Sequence, residues 1–184
     1  MNNNDEKKEI NTLDFYKELY FKENERKKDF DNLVNLPILI YTTIVAVNLF
    51  TLEKFIKEPS TIDCVNCFLK ILVSITLGSI AYSIYYLLIS FVNFPKSYIY
   101  KEIGNPKEIF DYEQNLREEQ ETLEDAELLM NHYLKDSFMD CANTNFLINQ
   151  KRSDYYAQSK NGIFLGVAST IIIILIYFIK LINF

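Results

Sequence analysis

Three stretches of this 184-residue chain lack any Asp, Glu, Lys or Arg: Asn32–Leu52 (21 residues), Ile71–Pro95 (25) and Asn161–Ile179 (19). A bilayer core of about 30 Å is crossed by about 20 helical residues, so each stretch is long enough to span one. The run "STIIIILIYFI" in the third is apolar on every side. A helix of a soluble bundle is apolar on one stripe only. The sequence therefore predicts an all-α integral membrane protein with three transmembrane helices, a cytosolic helical hairpin and an N-terminal amphipathic helix.

The predicted segments are a cytosolic tail over 1–31, transmembrane helices over 32–52 and 71–95 joined by an external loop over 53–70, a cytosolic hairpin over 96–160, and a third transmembrane helix with the C-terminus over 161–184. The tail carries nine acidic and seven basic residues, unlike a basic region followed by an apolar run and a small-residue cleavage site, so no removable signal peptide is expected. With three spans the tail and the 96–160 segment share a side and hold fifteen Lys and Arg. The other side holds four: Lys54, Lys57, Lys70 and Lys180. Positive charge stays cytoplasmic, which puts the N-terminus inside and the C-terminus outside a cell (inner) membrane.

Residues 107–160 contain no Pro or Gly and are rich in strong helix formers. Leu116, Leu123 and Met130 recur every seven residues and predict a helix-packing seam. A single upright helix of this length would rise about 80 Å, beyond the reach of the short connector from span two, so a hairpin is expected. Its turn is placed between Thr122 and Asn145, with Ser137 and Asp140 capping the second helix. In the tail, Phe15, Tyr16, Leu19 and Tyr20 share one face of a helix starting near Thr12, and packing against the hairpin is the expected use of that face.

Two faces in the spans stand out. Thr76, Ser79, Ser83, Tyr86, Ser90 and Asn93 are spaced alternately three and four apart and form a polar line on span two. Such hydroxyls either pack helices together or face water in a pore, and three spans enclose a pore only as a homo-oligomer. These six are the candidate pore-lining residues. In span three Gly162, Gly166 and Ser169 align, and Gly162–Gly166 is a GxxxG pair that admits close helix packing.

Other chemistry is sparse. Cys64 and Cys67 form "DCVNC", but two more ligands would be needed for zinc and the loop supplies none. They read as small first-turn residues after a "STID" cap, with a disulfide as the alternative. The one histidine, His132, has no nucleophile nearby, and no glycine-rich phosphate loop occurs. Neither an enzyme activity, a metal nor a cofactor is expected. No carboxylate falls inside a predicted span. Thirteen acids against eight bases over 96–160 disfavour nucleic acid, and Lys151 with Arg152 reads as a solvated basic pair. The expected partners are the lipid bilayer, further copies of the chain and a cytosolic protein.

The run "NTNFLINQKRSDYYAQSKNGIFLGVAST", in which a polar helix passes into a terminal span, resembles small multi-pass effector and accessory membrane proteins of bacterial antiviral defence systems. Those include the transmembrane effectors of nucleotide-signalling systems and the membrane proteins of type VI-B CRISPR loci. The resemblance covers about 30 residues and implies membrane permeabilisation or depolarisation on an infection signal; no individual residue's role is carried over. The expected function is an oligomeric channel or pore-forming effector gated by its cytosolic hairpin, the alternative being a non-conducting scaffold that recruits a cytosolic protein.

Overall fold

A computed structural model describes residues 12–57, 63–92 and 98–182. Among them there are five helices and no strand: α1 (Thr12–Asn32), α2 (Asn35–Lys57), α3 (Asp63–Val92), α4 (Pro106–Glu119) and α5 (Leu123–Ile182). The chain divides into two units, one of residues 1–28 and 98–150 and the other of 29–97 and 151–184, and α5 contributes to both. The loop expected over 53–70 is mostly helix, since α2 continues to Lys57 and α3 begins at Asp63.

The boundaries follow local chemistry. Asn105 caps α4, its side-chain oxygen accepting from the Lys107 N–H at 3.0 Å, and Pro106 opens the helix where its missing N–H costs nothing. The turn falls at residues 120–122, earlier than expected. Thr122 Oγ1 accepts from the Asp125 N–H at 3.1 Å and donates to the Asp125 carboxylate at 2.7 Å, a cap that starts α5 at Leu123. "TLED" carried that capping signal in the sequence. Ser137 and Asp140 cap nothing. They lie within α5, and Asp140 pairs with Lys101.

In the first unit α1 packs on α5. Tyr20 meets Phe138 edge to face at 5.7 Å, whereas Phe15 stays half exposed. Two buried amides then bind backbone. Asn145 accepts from the Lys101 N–H at 2.9 Å and donates to the Lys101 carbonyl at 3.1 Å. Asn149 donates to the Glu23 carbonyl and carboxylate at 2.8 and 2.9 Å and accepts from the Tyr100 hydroxyl at 2.7 Å. Glu23, itself buried, also takes the Arg26 guanidinium at 2.9 Å.

The expected α4–α5 seam is only partly a seam. Leu116 and Ala126 are buried and Met130 half-buried, but Leu123 is 64% exposed because it opens the helix beside the turn. Leu116→Asp is therefore expected to unfold the α4 contact, since a large buried apolar side chain is worth about 2–5 kcal/mol. Leu123→Asp is expected to leave thermal stability and helix content unchanged, both readable by circular dichroism in detergent. Equal losses from the two substitutions would contradict this packing.

Candidate functional site: the polar interior and outer face of the three-helix unit

The second unit buries polar side chains alongside an apolar core of Ile44, Leu69, Leu72, Ile80, Leu87 and Ile173. Asn48, Thr51, Thr76, Ser79, Ser83, Ser90, Arg152, Ser159, Ser169 and Thr170 are all buried in it. Leu36, Leu39, Leu49, Phe50, Leu77, Leu88, Phe164, Leu175 and Phe178 stand exposed. In hydrocarbon, apolar surface gains nothing by hiding, whereas polar groups must find partners inside.

The hydroxyl line of α3 is spent within the chain. Thr76 Oγ1 donates to the Leu72 carbonyl at 2.9 Å and lies 2.7 Å from Ser169 Oγ. Ser79 donates to the Thr76 carbonyl at 2.8 Å. Ser83, fully buried, meets the Tyr41 hydroxyl, Ser159 Oγ and the Ser159 carbonyl at 2.5, 3.0 and 2.5 Å. Ser90 donates to the Arg152 carbonyl at 2.8 Å. Tyr86 is half-buried, stacked on Tyr155 with centroids 6.2 Å apart, and Asn93 lies outside the described residues. The pore-lining role expected of Thr76, Ser79, Ser83 and Ser90 is thereby corrected. These side chains face α2 and α5 of their own chain, and none is more than 4% exposed.

The small residues of α5 make this contact close. A Cβ on Gly162 would lie 2.7 Å from Ser83 Cβ and 2.8 Å from the Ser79 carbonyl oxygen, and one on Gly166 would lie 3.0 Å from Ser79 Oγ. Ser169 donates to the Leu165 and Gly166 carbonyls besides meeting Thr76. From α2, Asn48 donates to Thr170 Oγ1 at 2.9 Å and to the Ile44 carbonyl at 2.8 Å.

Arg152 is not solvated, contrary to the sequence reading. It is 2% exposed. Its Nε donates to the Ser90 carbonyl at 3.0 Å and a terminal nitrogen donates to Asp31 at 2.8 Å, while the guanidinium lies 5.1 Å from the Phe30 ring centre and 6.0 Å from that of Phe91. One side chain thus ties α1, α3 and α5. Sequence reasoning also missed Asn145, Asn149 and Ser159. Cys141, Asn145, Asn149, Arg152, Ser159, Gly162, Gly166, Ser169 and Ile173 recur on one stripe of α5 at helical spacing, and this pattern continues straight across the polar-to-apolar boundary.

These contacts also fix how the helices are offset. Ser83 and Ser90 of α3 are level with Ser159 and Arg152 of α5, and Tyr41 of α2 is level with both Ser83 and Ser159. The charge-free lengths of α2 and α3 therefore coincide. That of α5 begins only beyond Lys160, displaced towards its C-terminal end. At the level of the exposed Ile84, Tyr85 and Leu88 of α3, α5 exposes Ser153, Asp154, Ala157, Gln158 and Lys160. Gln158 accepts from the Tyr82 hydroxyl at 3.1 Å, and the Lys160 ammonium lies 5.0 Å from the centre of the Tyr156 ring. A carboxylate is thus present at the level of the spans, at Asp154.

Cys67 is a free, exposed thiol, whereas the side chain of Cys64 lies outside those described. Cys141 is buried on α5 in the first unit, and that burial raises its thiol pKa. Among the described residues no group of three or more His, Cys, Asp or Glu side chains is placed to hold a metal ion.

The fold and this interior define an all-helical protein with three helices long and apolar enough to cross a membrane. Neither a family model, a curated protein nor a solved structure matches the chain.

Proposed function

We propose that the protein is an oligomeric membrane channel or pore-forming effector in which α5 outer faces of several copies surround a polar path. The supporting observation is the offset of α5. A slab of about 30 Å laid on the apolar lengths of α2 and α3 takes in Asp154, Gln158 and Lys160. Laid instead on residues 161–179, it takes in Lys70, Glu53 and Lys54. A charge facing lipid at mid-membrane costs about 2.5–3.5 kcal/mol even on the lowest scales. Facing other copies around water, the same surface is satisfied. The helical unit of residues 1–28 and 98–150 acts as the gate in this reading, through the α5 helix common to both units. Membrane depolarisation in antiviral defence is the role the sequence resemblance suggests for such a device.

The test is reconstitution of the purified chain in liposomes, with oligomer mass and ion flux read on the same sample. Flux from an oligomer is the expected result, and a stable monomer without flux would refute the channel. The second reading, a non-conducting scaffold for a cytosolic protein, is favoured by one feature: a cavity of roughly 450 Å³ between α1 and α5, lined by Tyr16, Leu19, Met139 and Phe146. It predicts assembly without flux.

The basic bias of the sequence places the α2–α3 connection outside the cell and the first unit in the cytoplasm. In a Cys64→Ser chain, Cys67 is then expected to react with an impermeant thiol reagent on intact cells. Cys141, buried and with its thiolate disfavoured, should react only after denaturation. Protection of Cys67 until the cells are broken would invert the topology.

A further inference from the structure

Resting on the channel reading, we infer that the path selects cations and that Asp154 is the residue that does it. The outer arc of α5 is the side opposite Arg152, Ser159 and Gly166, which face α2 and α3. On a helix of 3.6 residues per turn, Asp154, Ala157 and Asn161 occupy the middle of that arc. All three are exposed. Lys160 lies at its edge on the α2 side and is drawn over the Tyr156 ring, away from the middle of the arc. Lys151 lies at the other edge, on the α3 side. Gln158 is held by Tyr82. The Asp154 carboxylate has neither an ion pair nor a hydrogen bond among the described residues, although Asp31, Glu23, Glu113 and Asp140 are all paired. At the middle of the arc the charge is therefore negative, one per copy at one level, with Lys151 and Lys160 at its two edges.

The level strengthens the inference. Asp154 lies about 10 Å or less from the Ser83–Ser159 contact along the helix, by the 1.5 Å rise per residue, and so is level with the charge-free length of α3. A ring of carboxylates in a narrow polar passage attracts cations and repels anions, the usual arrangement of acidic rings in cation channels. The ligand is thus a hydrated cation attracted by the carboxylate oxygens, with the neutral amide of Asn161 two turns, about 10 Å, further along the same arc.

The full-length protein is placed in planar bilayers under a KCl gradient, and the reversal potential is read for the unaltered chain, Asp154→Asn, Asp154→Glu and Asp154→Lys, with oligomer mass measured in parallel. The expected outcome is K⁺ preference over Cl⁻ in the unaltered chain, retained by Asp154→Glu, reduced severalfold by Asp154→Asn and reversed by Asp154→Lys, at constant mass. Conduction with the same selectivity in all four chains overturns the role of Asp154 and leaves the channel standing. Anion preference in the unaltered chain does the same. An assembled but silent unaltered chain overturns both the channel and this inference.

Discussion

Replacing Gly162 with alanine is expected to separate α3 from α5 and to destabilise the membrane unit more than any other single methyl addition. The added Cβ would lie 2.7 Å from Ser83 Cβ and 2.8 Å from the Ser79 carbonyl oxygen. One of these obstacles is backbone, so the helices themselves must move. Movement at this level also breaks the Ser83 contacts with Tyr41 and Ser159. Overpacking of this kind costs about 1–3 kcal/mol, and lost interhelical bonds add about 0.6 kcal/mol each in a membrane. Gly166→Ala, whose Cβ is crowded by the rotatable Ser79 hydroxyl at 3.0 Å and otherwise makes ordinary contacts with Ile44 and Ile80, should cost less. Gly78→Ala, with nothing within 4 Å, is the silent control. Thermal unfolding in detergent, followed by size-exclusion chromatography, ranks the three. Equal melting of Gly162→Ala and Gly78→Ala would show that α3 and α5 do not meet here.

Removal of the Arg152 side chain is the second large effect. Arg152→Ala takes away a guanidinium that serves a backbone carbonyl and a carboxylate and covers two rings. Truncating a buried, hydrogen-bonded charge costs about 2–5 kcal/mol. The lower end is expected, because Asp31 is 48% exposed and water can replace its partner. The Ser90 carbonyl, on a buried residue, has less recourse. Arg152→Lys keeps the charge, but a single ammonium cannot hold both acceptors in the fixed fork and stacks poorly on the Phe30 ring, so only part of the loss should be recovered. Limited proteolysis and detergent melting measure both variants. Lysine restoring full stability would reduce Arg152 to a point charge.

Some of the molecule was legible from one dimension. A window without charges must avoid water wherever it goes, and length alone then marks it as able to span a membrane. The break before α5 is a local event, written in Thr122 and Asp125. The break was misplaced because the weak helix formers around Asn131 and Asn143 looked like a turn. The stretch is helical instead, and its Phe138 and Asp140 meet Tyr20 of α1 and Lys101. GxxxG likewise announced a close approach, since a missing Cβ has few other uses inside an apolar helix.

Spacing along a helix shows which residues share a face. It does not show what the face meets, because a hydroxyl is satisfied equally by water and by another helix. The Thr76–Ser90 line was therefore ambiguous until Ser169, Ser159 and Tyr41 were found against it. Arg152 looked like a surface cation for the same reason, its partners Asp31 and Ser90 being distant in sequence. Nor could the sequence give the offset between spans. Each charge-free window is visible alone, but the sliding of α5 against α2 and α3 is set by where Gly162 admits Ser83 and where Arg152 reaches Ser90. The sequence by itself determined that three helices avoid charge. The tertiary structure alone decided their register, and through it that Asp154 stands level with the charge-free length of α3.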